Sequence, residues 1–186
     1  KALGEKGIKF ISAKRGMNFD LDPGIKIEVL NPAGNKKWIT DVRSGGSVQN
    51  ANSVVLRLSY GDFAMIFTGD AEAETEEEII KTGAQLNAQV LKVGHHGSRY
   101  ATSDEFLNVV KPQVAIISAG IDNKYGHPTQ STLDRLQRGK VQIYRTDLQG
   151  EISIFTDGKN FEVHPERQAD ALAIMQGRQA SKSESE

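Results

Sequence analysis

The chain has no cysteine among its 186 residues. Disulfides and thiolate metal sites are therefore excluded, and any metal site has to be built from imidazole and carboxylate. Charge of one sign is also missing. The formal net charge is −1, so no global field draws nucleic acid, although local basic patches remain open. No apolar run approaches the ~20 residues that a membrane-spanning helix needs, and no signal peptide is visible. The first residue is Lys rather than Met, which reads as a piece trimmed from something longer. Histidine is scarce too: there are four, and two of them are adjacent.

What is present suits one layered domain with a core of its own. The stretch Lys92-Val93-Gly94-His95-His96-Gly97-Ser98 organises the rest. The apolar run Val90 to Val93 leads into it as a buried strand, and the flanking glycines let the backbone turn and be approached closely. Two further stretches share its form of strand, glycine and a metal-competent side chain. They are Phe67-Thr68-Gly69-Asp70 and Tyr125-Gly126-His127-Pro128. Loops at strand ends are where α/β proteins do chemistry.

Along the chain, Ile8 to Ile11 and Ile25 to Leu30 read as strands, with a turn at Asp22-Pro23-Gly24 before the second. Residues 32–51 show no period. They hold Lys36, Lys37, Arg43 and the lone Trp38, a set open to two readings: a solvated loop with one anchoring ring, or a nucleic-acid contact. Ser53 to Ser59 and Phe63 to Thr68 read as a hairpin. Residues 72–81 read as a helix with acids first and Lys81 last, so its glutamates are expected on a solvated face. Ser103 is placed as the N-cap of the next helix and Pro128 in the first turn of another. Strands follow at Val114 to Ile117 and Val141 to Tyr144, then a hairpin over Ile152 to Phe155 and Phe161 to Val163. Strand pairs first and strand–helix alternation later predict a layered α/β (α+β) domain with a mixed sheet over residues 1–164. Residues 165–186 read as a polar tail, disordered from Gln179, with a helical turn within Ala169 to Met175.

Imidazole and carboxylate at successive strand ends suit a hydrolytic metal site. Asp70 is the candidate shared carboxylate and His127 a terminal ligand. In an extended loop His95 and His96 point apart, so one is expected in the site and the other beside it. Ser98 and the amides near Gly97 are candidates to hold a phosphate oxygen. His164 has no companion motif and reads as incidental.

These residues resemble the metallo-β-lactamase superfamily, and more closely the hydrolase branch of the ComEC/Rec2 competence DNA-uptake proteins. The likeness rests on Asn52 to Leu58, Phe67-Thr68-Gly69-Asp70-Ala71-Glu72, Leu91 to Ser98, Ile116 to Gly120 with Tyr125 to Pro128, and Tyr144-Arg145-Thr146-Asp147 with Gly150. It covers roughly residues 7–164. It implies the C-terminal portion of an αββα sandwich and two divalent ions, zinc foremost and manganese as the alternative. Asp70, His96 and His127 are the implied metal ligands, with Asp70, His95 and His96 at the reaction centre. Ser98, His95 and Asn52 are the implied substrate or phosphate contacts. The implied substrate is a phosphoester or DNA. The superfamily's upstream ligand motif, His-x-His-x-Asp-His or a variant ending Asp-His, has no match here, and Gln49-Asn50-Ala51-Asn52 stands where many members carry a further His, an Asn being usual in the competence-like branch. The isolated chain is accordingly expected to be inactive without the other, N-terminal half of the domain. Hydrolysis of another ester, a non-catalytic binding or assembly module, and a DNA-binding module without chemistry are the competing readings. Compartment is left open between an extracytoplasmic domain of a membrane protein and a stand-alone hydrolase.

Overall fold

The computed structural model describes residues 5–7, 10–34, 39–40 and 47–179. The first half of the sheet is antiparallel. It runs β1 (Asn18–Asp22), β2 (Ile25–Asn31), β3 (Val55–Tyr60) and β4 (Phe63–Phe67), with turns at Pro23-Gly24 and Gly61-Asp62. The connection from β2 to β3 ends in a one-turn helix, α1 (Val48–Ala51), whose N-cap Ser47 accepts the Asn50 N–H at 3.0 Å. The second half is parallel: β5 (Val90–Lys92), β6 (Val114–Ile117) and β7 (Gln142–Arg145) follow β4 in the same direction. Parallel neighbours need crossovers. Helices α2 (Ala73–Lys81), α3 (Asp104–Val110) and α4 (Gln130–Arg138) supply them.

The seven strands lie in the order β1 to β7. Crossovers of one hand stepping always in one direction put all three helices on one face of the sheet. That face carries the larger core. Ile66, Leu91, Ala115, Ile117 and Ile143 of the sheet meet Ile79, Phe106, Val110, Leu133 and Leu136 of the helices. The alternate side chains of the same strands, Phe63, Met65, Val90, Val114 and Ile116, face the other way. They are covered by the hairpin of β8 (Ile152–Thr156) and β9 (Phe161–Pro165), through Ile152, Ile154, Phe161 and Val163. The Gly158 carbonyl at the hairpin tip accepts the Asp62 and Phe63 N–H groups at 2.7 and 3.1 Å. The layers are therefore helices, mixed sheet and hairpin, as an α+β reading expects. Two one-turn helices, α5 (Thr146–Gln149) and α6 (Ala171–Ile174), complete the described elements.

Several expectations change. Phe10 and Ile11 are exposed and not in a strand, and Ile8 and Lys9 lie outside the described residues. The edge strand is instead β1, whose Asn-Phe-Asp-Leu-Asp pairs with β2 and is mostly exposed. Pro128 is not in the first turn of α4: it precedes the N-cap Thr129, after a cis His127–Pro128 bond. The glutamates of α2 are not all on a solvated face. Glu72, Glu74 and Glu76 are buried. The reason for Glu76 is plain: its two oxygens accept the Thr102 and Ser103 N–H groups at 2.5 and 2.8 Å, capping the start of α3. Lys36, Lys37, Trp38 and Arg43 lie outside the described residues, as do residues 180–186.

The segment beyond residue 165 is docked as far as Arg178. Buried Arg145 donates to the Ala173, Ile174 and Gln176 carbonyls at 3.2, 3.0 and 2.7 Å, and grips Asp147 with both ends of its guanidinium. Arg178 reaches the same Asp147 carboxylate, and its N–H meets the Pro128 carbonyl at 2.8 Å. Composition predicts a polar tail here because the ties are made by backbone groups, which a hydropathy pattern does not show.

Candidate functional site

The loops after β4, β5 and β6 leave the sheet at one edge, the carboxyl ends of its parallel strands, where ligands bind in open α/β sheets. Backbone bonds stitch them together. His95 N–H donates to the Gly69 carbonyl at 3.0 Å, and Thr129 N–H to the Gly97 carbonyl at 2.9 Å. Two glycines are required for this approach. A Cβ on Gly94 would sit 2.8 Å from the Ala71 oxygen, and one on Gly97, whose φ is +85°, 2.6 Å from the Pro128 Cβ. Ser53, just before β3, accepts the Asp70 N–H at 3.2 Å and fixes the acid's loop.

Between those glycines the chain makes a tight 3₁₀ turn, not an extended loop. Both histidines are left-handed, with φ of 44° and 56°. Non-glycine residues adopt that region at a cost of about 1–3 kcal/mol each, and where they do so a surrounding framework holds them. Each imidazole has one nitrogen committed. His95 Nδ1 lies 2.8 Å from Oε1 of Glu72, a side chain buried at the N-terminus of α2. His96 Nδ1 lies 2.6 Å from the Ser118 carbonyl oxygen. Both partners only accept, so each Nδ1 carries the proton and donates it. Nε2 of a neutral ring is then a lone pair.

The His96 lone pair faces a carboxylate. Its Nε2 is 3.4 Å from Asp70 Oδ1, and both side chains are open to solvent. Two acceptors pointing at each other are stabilised by a cation between them, whether a proton or a metal ion. His127 approaches from the third loop, its ring centroid 5.5 Å from that of His95. Its buried Nδ1 has no hydrogen-bond partner among the described residues. Burial, followed by the charges of His95, His96 and Arg99, holds His127 below the usual imidazole range, with Asp70 opposing. Burial also lowers Lys92, again with Asp70 opposing, and its Nζ donates to the Val93 carbonyl at 3.1 Å.

Asp70, His95, His96 and His127 thus come together at one edge. Ser98 lines a cleft of about 500 Å³ together with His95 and His127, and its Oγ accepts the Tyr100 N–H at 3.3 Å. Asn52 does not. Its amide donates to the Ile39 and Val48 carbonyls at 2.9 and 2.7 Å and accepts the Ile39 N–H at 3.1 Å, so its polar atoms tie down the segment before β3. The amide named as a substrate contact is thus engaged with its own chain. His164 pairs with Glu162 on the hairpin. Glu72 is the site residue that sequence reasoning missed. It stands two places after Asp70, but an acid at a helix start has a sufficient explanation without any partner.

As a holder of metal, the cluster fits in kind more than in number. Oxygen and nitrogen donors with their second nitrogens anchored are what zinc and manganese sites use. Among the described residues, however, no group of three or more His, Asp or Glu side chains is placed to hold an ion. The molecule is therefore a mixed-sheet α/β domain with an imidazole–carboxylate cluster on its carboxyl-end loops.

No family model matches the chain. It is 36% identical over 167 residues to "ComE operon protein 3" of Bacillus subtilis, covering 89% of this chain and 20% of that protein. It is 38% identical over 130 residues to "Competence protein ComA" of Neisseria gonorrhoeae, covering 69% and 18%. It is 32% identical over 154 residues to "Recombination protein 2" of Haemophilus influenzae, covering 83% and 18%. These relatives indicate the ComEC/Rec2 competence family, and the chain spans about a fifth of their length.

Proposed function

We propose that the chain is part of a metal-dependent hydrolase of the metallo-β-lactamase superfamily that cleaves phosphoester bonds of nucleic acid during DNA uptake. The names of its relatives support the setting. The observation that carries the chemistry is the pairing of Asp70 Oδ1 with the His96 Nε2 lone pair at 3.4 Å, two acceptors that call for a cation. Asp70 and His96 would start its site, with His127 drawn in and further donors supplied by the N-terminal half of the domain, since the three are not placed as a complete set by themselves. When bound, a pair of divalent ions supplies polarisation of the phosphoryl oxygen and a water of lowered pKa. The rest falls to this chain's own groups. His95, with Nδ1 anchored on Glu72, presents Nε2 as a proton acceptor. The Ser98 hydroxyl, its oxygen already accepting, has its proton left to donate to a phosphoryl oxygen. Arg99, beside them, opposes the substrate's negative charge.

The test joins this chain to an upstream segment bearing an Asp-His ligand motif, then assays phosphodiester cleavage with manganese or zinc. Metal-dependent turnover that Asp70→Asn and His127→Ala abolish is expected, while the chain alone gives none. A joined protein that binds no metal and cleaves nothing refutes the hydrolase. The shortage of ligands among the described residues favours a second reading, a non-catalytic assembly module. That reading gains if the joined protein folds and remains metal-free.

A further inference from the structure

Around the cleft stand two exposed tyrosines that no core or catalytic role absorbs. Tyr100 and Tyr125 are 42% and 67% exposed, and both line the same cleft as His95, Ser98, Arg99 and His127. Each has a cation from its neighbour in sequence over its ring. Arg99 Cζ is 5.8 Å from the Tyr100 centroid, and Lys124 Nζ is 5.4 Å from that of Tyr125. Neither ring is a loose tip. The Tyr100 backbone is pinned on both sides, its N–H to Ser98 Oγ and its carbonyl to the Ala73 N–H at 2.9 Å. Tyr125 lies stacked on His127 at 6.1 Å with an interplanar angle of 19°, and the residue as a whole stays largely exposed. An adjacent cation over a tyrosine is unremarkable alone. Two such pairs on separate loops, with both rings and Arg99 lining one cleft, are an arrangement with a use.

We propose that Tyr100 and Tyr125 form a stacking platform for unpaired bases of a nucleic-acid strand, with Arg99 and Lys124 meeting its phosphates. This rests on the nucleic-acid part of the function proposed above and adds to it a site for the bases. Flat aromatic faces beside cations bind single strands because every base has a π-face, whereas the bases of a duplex are stacked on one another. Such a grip is tolerant of sequence and holds the strand while the phosphodiester lies over the histidine loop.

The experiment needs no turnover and no metal. Fluorescence anisotropy compares this chain's affinity for a labelled oligothymidylate with that for an abasic strand of the same length and charge. The base-bearing strand is expected to bind more tightly. Tyr125→Ala and Tyr100→Ala should each weaken it roughly tenfold, while Tyr→Phe at either position leaves it within about twofold. The abasic strand should be indifferent to all four. Arg99→Ala and Lys124→Ala should weaken both strands and flatten the salt dependence. Circular dichroism checks that each variant is folded. Equal binding of the two strands by the wild type, no binding of either, or equal losses on both strands in the Tyr→Ala variants each overturn the proposal. Equal losses would show the tyrosines acting only by propping His127 and the loop. Base-dependent binding in a joined protein that cleaves nothing would leave the platform standing and refute the hydrolase; cleavage without base dependence would do the reverse.

Discussion

Replacing Glu72 by Ala removes the acceptor that fixes His95 Nδ1. His95 is half-buried, so urea denaturation should show a loss toward the lower end of the roughly 1–3 kcal/mol that an unsatisfied buried group costs, and Glu72→Gln, which keeps an oxygen, a smaller one. Glu76 gives the second prediction at this scale. Burial raises its carboxyl above the ordinary 4.5, against the Ser103 and Thr102 hydrogen bonds and the Arg135 charge. The folded state therefore binds the proton more tightly than the unfolded one, and this group's contribution to stability falls as pH rises from 4.5 through the raised value. Melting temperatures from about pH 4 to 8 should fall less steeply in Glu76→Gln than in the wild type, although the variant is less stable throughout. That Asp70, His95, His96 and His127 lie together was legible in the sequence because three stretches of one form, strand, glycine and metal-competent side chain, follow one another, although each alone is more often a turn or a structural residue. Glu72 and Glu76 were not. A run of acids before Lys81 is explained by the helix dipole alone, and burial depends on neighbours 23 to 27 residues away. The ties of Asn52 to Ile39 and Val48 were not legible either, because side-chain amides serve backbone and substrate with the same atoms.

Among the elements, the loops are held by contact distances that leave no room for a methyl group. Gly94→Ala puts Cβ against the Ala71 oxygen at 2.8 Å and the Ala101 Cβ at 3.0 Å. It should destabilise by about 1–3 kcal/mol, read from denaturant midpoints, and shift the NMR resonances of His95 and His96 more than those of β8 and β9. The strands β2 to β7 and the closing hairpin could be read from periodicity and turn residues. The mostly exposed edge strand β1 could not, because little of its alternation is buried. Nor could α5, a single turn that owes its existence to the side chains that anchor it, whereas the helical turn expected within Ala169 to Met175 is α6. The left-handed turn of the twin histidines was equally hidden. Its conformation is imposed by Glu72, Ser118 and Gly69 from elsewhere in the chain, not preferred by histidine itself.

In the whole molecule, Arg145 ties the sheet edge to the C-terminal segment, and that segment to the His127 loop through Arg178 and Pro128. Arg145→Met leaves buried Asp147 with Arg178 as its remaining cation, so the loss should approach, and not exceed, the roughly 3–5 kcal/mol of breaking a buried pair. Hydrogen exchange should accelerate at residues 173–178 first and at Thr129 with them, while the amides of β4 and β5 keep their protection until global unfolding.

The seven strands stand side by side in the order in which they are spelled. No strand has to be threaded between two already laid down, so a chain emerging from the ribosome can extend its sheet outward at a single growing edge. On that timetable Asp70 is delivered before the twin histidines and His127 after them, and the hairpin that seals the underside arrives once the cluster is already assembled.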